Sequence, residues 1–553
     1  MSKPATSRPA LPPGLEFIAP GPGTWTTDPV HDPRPSTRYK QELEPEPFVR
    51  GFSETMARYG ILLGTMQPVY LNGFGYSTML PVKPEEIPER FALAAEAFER
   101  KLWRHDLRNW DEEEKPKAIA RSRELIATDV DGLSTDGLLA HLADCRDHHR
   151  EMTYQHMRHT AAAVVPTGDF VTQTIEWTGL PPAELMPLLR GSAPVSGGSS
   201  DDFDRFVAAV RSDDAAQELL ASDGDPAAVV ARLRDLAGET GDAAGAYLDL
   251  VGHRLVDGFD IGDPTLLELP EVLVRSLRTR LAGEGGPEDD SHLEEHTAHV
   301  RELVPEEKRE EFDALLAEAR LTYRLRDERG VFTDVWAAGI MRRSALVAGR
   351  RLQTTGRIDE AEHFLEASFE EMHSLLRGEG GPPAAELAER MRYRTTYTTD
   401  DVPAVLGDPP SPPPDLAGLP PEAARMMRSI GFVLNSLFGS SEAPNEPTLV
   451  RGISASPGVY EGTARVVLDP REFSRLAHGD VLVAQSTSEA FNVLLPLLGA
   501  IVTDAGGLLS HAAIVAREYG IPAVVGTREG TALIPDGARV RVDGAKGEVS
   551  ILA

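Results

Sequence analysis

His511 follows a Gly-Gly loop in the string TDAGGLLSHAAIVAREYGIPAVVGT, which spans residues 503–527. An imidazole is a good nucleophile near neutral pH and needs only a modest change of pKa to accept and donate a phosphoryl group. A lone histidine more often fills a turn or caps a helix, but the whole string favours chemistry over that structural role. A histidine in this string is therefore suited to accept and donate a phosphoryl group.

The residues beside His511 predict an anion site at the start of a helix. Ser510 is placed to cap a helix that begins at Ser510–His511 and ends at Gly520. Free backbone N–H groups and the positive end of the helix dipole stabilise an anion there. Gly506 and Gly507 would let the backbone approach that anion closely. We expect these residues to support the phosphorylated histidine.

The helix of His511 lies among short runs rich in Val and Ile that are separated by Gly turns. This pattern predicts a small α/β domain over residues 449–553, of roughly 100 residues. From Arg451 onward the chain has 9 basic and 11 acidic side chains, so this domain is nearly neutral. Almost all of the net charge of −31 therefore lies on the first 450 residues.

The residues before this domain divide into three segments by their proline content and by the spacing of their apolar side chains. Residues 1–47 are rich in proline and predict an extended arm. Residues 48–400 carry apolar side chains at helical spacing and predict a mostly helical body with few strands. Flexible breaks are expected at residues 191–200 and 283–291. Residues 401–448 hold a second proline cluster and a short helix, which predict a hinge and connector.

The predicted fold class is thus multidomain, with a mostly α-helical N-terminal body and a C-terminal α/β domain.

The 553 residues include 56 basic and 87 acidic side chains, and such a surface disfavours binding to nucleic acid. The apolar run near residues 493–502 is too short to span a bilayer, and the N-terminus lacks a secretion signal. With one cysteine, Cys145, no internal disulfide can form. We expect a cytoplasmic protein.

The string GGLLSHAAIVAREYGIPAVVGT closely resembles the swivelling phosphohistidine domain of the PEP-utilising enzymes, and the resemblance extends from residue 452 to residue 551. It implies that His511 is the phosphoryl carrier, supported by Gly506, Gly507, Ser510 and Arg517. Leu509 stands where dikinases of this family usually have threonine, and this form is more similar to the rifampin phosphotransferase branch. Residues 487–491 also depart from a common Thr-x-Pro-x-Trp pattern, which affects the expected docking surface for a partner.

The body has a looser resemblance to the acceptor-binding region of rifampin phosphotransferase and phenylphosphate synthase. The strings that carry it lie at residues 25–37, 141–156, 246–270 and 334–372. The sequence shows neither the Gly-rich phosphate loop of an ATP-grasp domain nor a PEP-binding TIM barrel after the C-terminal domain. The resemblance therefore implies that ATP and Mg²⁺ act on a separate ATP-grasp-type subunit, which would phosphorylate His511.

A transferase of this kind needs a hydroxyl acceptor, a base for its proton and cations that hold the moving phosphoryl group. His253 and Arg254 are the first candidates for base and clamp, and the next group is Arg326, Arg329 and Arg342. His148 and His156 share roughly one helix face and are expected to line the substrate pocket. We expect no metal site. Met56, Met66 and Met79 are core residues or, alternatively, a pocket wall.

The leading hypothesis is a phosphotransferase component that passes a phosphoryl group from His511 to a small organic hydroxyl compound bound in the body. Two alternatives stay open. The first is a lyase or cyclase that acts through a phosphorylated hydroxyl intermediate. The second is a non-catalytic phosphocarrier or regulatory protein, for which a flat apolar patch would replace the pocket.

Overall fold

The computed structural model describes residues 9–194, 201–256, 258–282, 291–412, 415–438, 441, 443–487, 491 and 494–552. Most of the described chain before residue 439 is helical. Its helices are α1 Arg38–Leu43, α2 Pro45–Arg58, α3 Ile87–Arg100, α4 Leu102–Asn109, α5 Lys115–Ala127, α6 Thr135–Arg158, α7 Thr160–Thr178, α8 Pro182–Leu185, α9 Asp201–Arg211, α10 Asp214–Ala221, α11 Pro226–Arg234, α12 Glu239–Gly252, α13 Pro270–Leu281, α14 Ser291–Leu303, α15 Arg309–Tyr323, α16 Leu325–Val331, α17 Asp334–Thr354, α18 Phe369–Arg377, α19 Ala384–Thr396 and α20 Pro421–Phe438. We call residues 9–438 the body.

Four strands of the body form one antiparallel sheet in the order β2-β3-β1-β4. They are β1 Thr24–Thr27, β2 Leu63–Leu71, β3 Phe74–Pro81 and β4 Val405–Gly407. The hairpin β2–β3 turns at Asn72 and Gly73, whose φ angles of 52° and 88° suit a two-residue turn of the Asn-Gly type. Within residues 48–400 the described strands are β2 and β3 alone, so strands are scarce there, as the sequence led us to expect; β1 and β4 lie in the predicted arm and hinge.

Both proline-rich segments belong to this sheet. β1 lies inside the predicted arm and pairs with β3 and β4, and its buried Trp25 packs with Phe74 and Leu406. The predicted arm of residues 1–47 therefore gives way at Arg38 to helix α1, which Thr37 caps through the Lys40 N–H. Residues 405–407, within the predicted hinge, form β4 and pair with β1. This pairing satisfies their backbone N–H and C=O groups, which would stay unpaired in a free spacer.

Residues 449–552, the C-terminal domain, form an eight-stranded mixed sheet in the order β5-β12-β11-β7-β8-β9-β10-β6, whose strands β7 to β10 run parallel. The strands are β5 Leu449–Arg451, β6 Ile453–Ser456, β7 Val459–Val467, β8 Asp480–Ala484, β9 Leu498–Thr503, β10 Ala523–Val525, β11 Arg539–Asp543 and β12 Glu548–Ile551, and the helices are α21 His511–Tyr519 and α22 Gly530–Leu533. The expected fold class, a mostly helical body followed by a C-terminal α/β domain, is confirmed.

Several expected loops fall partly on residues outside the description. They are residues 195–200 and 283–290 of the two predicted breaks, 413–414 of the proline cluster, 439, 440 and 442 of the connector, and 488–490 of the loop before the site.

The C-terminal domain packs against the body through α21 and the loop before it. Leu508, Leu509 and Ile514 share one apolar core with α7 and α20 of the body. The Leu509 N–H donates to the Ser436 carbonyl of α20 over 3.0 Å. A Cβ on Gly507 would lie 2.3 Å from that same carbonyl oxygen, so only glycine permits this approach. The connector helix α20 thus holds the loop that leads to His511.

Replacing Gly507 with Ala is expected to separate the loop from α20, because the added Cβ overlaps the Ser436 carbonyl. The docked fraction, measured by energy transfer between dyes on the body and on the C-terminal domain, should fall. Gly431→Ala is the matched control on α20, where an added Cβ meets no atom within 4 Å. It should keep docking intact and add up to about 1 kcal/mol of helix stability. Equal docking in both variants would contradict the role of Gly507.

Candidate functional site

His511 is the first residue of α21, and its ring is buried where the C-terminal domain meets the body. Its Nδ1 lies 3.0 Å from the Thr487 hydroxyl oxygen, which fixes the plane of the imidazole. Burial lowers the pKa of His511 to about 4; the nearby Asp327 carboxylate opposes this shift and the Arg326 guanidinium adds to it. The ring is therefore a neutral nucleophile at physiological pH.

Ser510, Gly506 and Gly507, the predicted supporting residues, all lie in the loop directly before His511. Ser510 has the backbone conformation of an N-cap, but its side chain makes no capping bond, and its buried Oγ has no hydrogen-bond partner among the described residues. Gly506 adopts a φ of 100°, which favours glycine. Gly507 faces the backbone of Ser436. Gly507 thus permits the close contact with the body, and the conformation of Gly506 shapes the loop before Ser510.

Arg517 on α21 holds the same loop in place through hydrogen bonds of its guanidinium. Its guanidinium donates to the carbonyls of Leu508 and Ala455 over 2.8 and 2.9 Å, and to the Tyr323 hydroxyl oxygen over 3.0 Å. Because Tyr323 belongs to the body, one buried cation joins the loop, the sheet of the C-terminal domain and helix α15. Arg517 is a positioning residue for the loop before His511.

His511 and Ser510 form part of the lining of a cavity of about 190 Å³ that enters the body. Side chains from α2, β2, α7 and α20 make its apolar wall. They are Phe48, Phe52, Met56, Leu63, Met66, Val164, Ile430, Val433, Leu434 and Leu437. Met56 and Met66 are therefore pocket residues as well as core residues, whereas Met79 is 40% exposed on β3 and lies outside the lining.

The polar lining contains two histidine–aspartate pairs. His156 Nδ1 lies 2.8 Å from the Asp334 carboxylate, and His31 Nδ1 lies 2.7 Å from the Asp28 carboxylate. Phe259 packs beside both imidazoles, with ring centroids 6.4 Å from His156 and 5.5 Å from His31. A buried His–Asp pair holds one tautomer and stabilises the imidazolium that forms when the ring accepts a proton. The cavity therefore contains two candidate general bases.

Cations and acids also face the cavity. Arg326 and Arg329 on α16 contribute to the lining, and Arg326 Nη2 donates to the Leu509 carbonyl over 3.4 Å. Arg329 donates to the His156 carbonyl and to the Thr160 hydroxyl oxygen over 2.9 and 2.7 Å. Lys40 is buried beside Asp32 at 2.5 Å. The arginines place positive charge close to the loop that carries His511.

Four predicted acceptor residues lie outside the cavity lining. His253 is buried at the end of α12, where burial lowers its pKa to about 3, and its carbonyl packs against Gly339. The Arg254 guanidinium lies over the Phe332 ring, 5.4 Å from its centroid. Arg342 is 2% exposed and pairs with two carboxylates, and the His148 ring contacts the Ser122 hydroxyl. These groups hold helices together because their partners come from distant elements.

The sequence reasoning located His156, Arg326 and Arg329 but missed Asp28, His31, Lys40 and Asp334 as cavity residues. Asp28 and His31 lie in residues 25–37, a string that carried the resemblance to the acceptor-binding region, but its prolines predicted an extended arm and no residue of it was singled out. The described part of the chain holds no group of three or more His, Cys, Asp or Glu residues arranged to bind a metal ion. Within the same part, no helix is both long and apolar enough to cross a membrane.

Two segments match known protein families. Residues 476–547 match the mobile domain of PEP-utilising enzymes, and residues 156–327 match the fourth domain of rifampicin phosphotransferase. The chain therefore resembles rifampicin phosphotransferase. The first match covers the strands β8 to β11 together with the His511 loop, and the second begins at His156 and ends at Asp327. The matches thus cover most of the C-terminal domain and a middle part of the body, which includes the cavity residues His156 and Arg326.

Rifampicin phosphotransferase of Streptomyces sviceus is 29% identical over 361 residues, which cover 63% of this chain and 37% of that protein. An uncharacterized phosphotransferase of Bacillus subtilis is 32% identical, over 56% of this chain and 36% of its own length. The chondramide synthase of Chondromyces crocatus is 30% identical over 56% of this chain and 8% of its own length. The match therefore spans little more than a third of these relatives, or less.

Docking of the mobile domain is expected to depend on pH through two buried groups at the interface. Burial lowers the pKa of His511 to about 4, so its contribution to docking is present above the ordinary pKa near 6.5 and is lost as the pH falls towards 4. Burial raises the pKa of Glu518, which accepts the Gly191 N–H over 2.9 Å, to about 7. Its contribution is present below pH 4.5 and is lost as the pH rises through 7.

His511→Gln should therefore dock more strongly than the wild type in acid, and Glu518→Gln should dock more strongly above pH 7. Energy transfer between the body and the mobile domain from pH 4.5 to 8 measures both effects. An identical pH dependence in all three proteins would contradict the assignment.

Proposed function

We propose that this chain is a phosphotransferase component in which phosphorylated His511 delivers its phosphoryl group to a hydroxyl compound bound in the cavity. The observation that carries the proposal is that the His511 side chain and the apolar wall of the body line one cavity. A pocket with an apolar wall and a few convergent polar groups is typical of a small-molecule site. A non-catalytic carrier would need an exposed apolar face instead, and it would have no use for such a cavity.

We place the phosphoryl group on Nε2 of His511, because Nδ1 is already engaged by the Thr487 hydroxyl at 3.0 Å. Ser510 Oγ, which is buried beside the N-terminus of α21, is available to this group. The buried Nε of Arg326 likewise has no hydrogen-bond partner among the described residues. Donors that are already in place at the moving phosphoryl group lower the barrier to transfer because they need little reorganisation.

We place the ATP-dependent step on a separate ATP-grasp-type subunit, with Mg²⁺ bound at the nucleotide. One observation supports this part of the proposal. His511 in the docked arrangement faces an apolar wall that suits an organic acceptor better than a nucleotide. The mobile domain would therefore leave the body to be phosphorylated and return to transfer.

His511→Ala is expected to abolish phosphorylation of the chain. The protein is incubated with β- or γ-labelled ATP and Mg²⁺, first alone and then with cell extract. Acid-labile, base-stable label should appear on the wild type only with extract, because the nucleotide step needs the second chain. His478→Ala, which changes an exposed histidine of the same domain, is the matched control and should label fully. Label on the His511→Ala chain would refute the carrier role.

Arg326→Ala is expected to slow transfer by about 10²-fold, the usual effect of removing one preorganised donor from a transition state. Labelled protein is mixed with the small-molecule fraction of the extract, and loss of label from His511 is followed over time. Arg350→Ala, which removes an exposed arginine of α17, is the control. Equal rates in the two variants would argue against a role of Arg326 in holding the phosphoryl group.

A further inference from the structure

The His31–Asp28 pair lies in the cavity lining together with His511. Asp28 lies just after β1, and its Oδ1 accepts the backbone N–H groups of Val30 and His31 over 2.9 and 3.0 Å. Its Oδ2 contacts His31 Nδ1 over 2.7 Å. The carboxylate is therefore fixed by the backbone of its own turn and in turn fixes the imidazole, which directs Nε2 away from Asp28.

The segment that carries His31 is in direct contact with the docked mobile domain. The Ser486 hydroxyl donates to the Val30 carbonyl over 3.4 Å, and Thr487, the next residue, holds Nδ1 of His511. Arg34 in the same segment donates to the Leu468 carbonyl of the mobile domain. Docking therefore sets the distance from the His31 turn to the His511 loop through a short run of backbone and side-chain contacts.

The second pair, His156–Asp334, is held differently. The His156 side chain is 9% exposed, whereas that of His31 is 38% exposed and lines the cavity. His156 lies at the end of α6, and its carbonyl anchors Arg329. Asp334 also accepts the Val335 N–H at the start of α17 over 3.0 Å. These contacts tie His156 to the framework of the body and leave His31 as the imidazole that presents more surface to a bound acceptor.

The pKa values of the two histidines also differ in direction, His31 being the more basic ring. Burial lowers the pKa of the His31 ring, but the Asp28 carboxylate outweighs it and the pKa lies above its ordinary value. Burial lowers the pKa of His156 below its ordinary value in spite of Asp334. A more basic ring accepts a proton from a hydroxyl more readily. The positive charge of Arg326 lowers the pKa of both His31 and His511, which shows that the guanidinium lies near both rings.

We propose that His31 is the general base of the transfer and that Asp28 is its positioning residue; this inference rests on the proposed function. As the acceptor oxygen forms its bond to phosphorus, the acceptor O–H proton moves to Nε2 of His31. The bond between phosphorus and Nε2 of His511 breaks, and its electron pair stays on that nitrogen, which restores neutral His511. The resulting His31 imidazolium is stabilised by the Asp28 carboxylate and later loses its proton to solvent.

The reverse reaction tests the assignment with defined probes. Phosphorylation of His511 by phenyl phosphate requires protonation of the leaving phenolate, for which the reverse mechanism uses protonated His31. p-Nitrophenyl phosphate needs far less assistance, because p-nitrophenolate is a much better leaving group. The rate at which the full-length chain gains one phosphoryl group is followed by intact-protein mass spectrometry for each probe.

His31→Gln is expected to slow the reaction of phenyl phosphate by about 10²-fold or more, the usual contribution of a general acid or base, and to slow that of p-nitrophenyl phosphate by less than about tenfold. Asp28→Asn should show the same selective loss, and Asp28→Glu should recover part of it. His156→Gln is the matched control for the other pair and should slow both probes by one factor. Thermal unfolding of each variant checks that it is folded.

The possible failures are distinguishable. Equal losses with both probes in His31→Gln, or a selective loss in His156→Gln, would overturn the assignment of His31. Labelling of His511 by ATP and extract, measured in parallel on the wild type, tests the proposed function. A wild type that takes no phosphoryl group from ATP or from either probe would overturn the proposed function and this inference together.

Discussion

The close contact between the loop of residues 506–510 and α20 is the constraint on which the site depends. Gly507 lies against the Ser436 carbonyl, and the same carbonyl accepts the Leu509 N–H. The same helix supplies Ile430 and Val433 to the cavity wall. One helix therefore positions His511 and also shapes the space before it. A side chain at residue 507 would push the two apart, so the geometry of the site requires this glycine.

The cavity combines an apolar wall with charges that are paired with one another. Asp28 and Asp334 each face an imidazole, and Lys40 faces Asp32. Such pairing lowers the cost of placing charges in a region of low dielectric, where electrostatic interactions are also stronger than in water. The body carries nearly all of the net charge of −31, yet arginines lie near the His511 loop. Arg326 and Arg329 thus offer positive charge to a phosphoryl group on the side of the cavity where His511 lies.

Much of the fold followed from local patterns. The α/β texture after residue 449 and the helical spacing of residues 48–400 predicted the two parts of the chain. Local patterns were misleading where tertiary pairing changes the conformation of a segment. The proline-rich arm and hinge each supply one short strand to the body sheet, because their backbone groups pair with β3 or with each other. The Asn72–Gly73 hairpin had a clear turn signal that was not used.

The sequence by itself determined the helix that begins at His511 and ends at Gly520, because capping and turn preferences act over a few residues. It also placed His156, Arg326 and Arg329 among the candidates for the pocket. Only the tertiary structure selected these three from the candidates and added His31 and Asp28, which lie about 480 residues before His511. The physical reason is that a cavity is formed by side chains from distant elements, and their proximity depends on packing that no local pattern encodes.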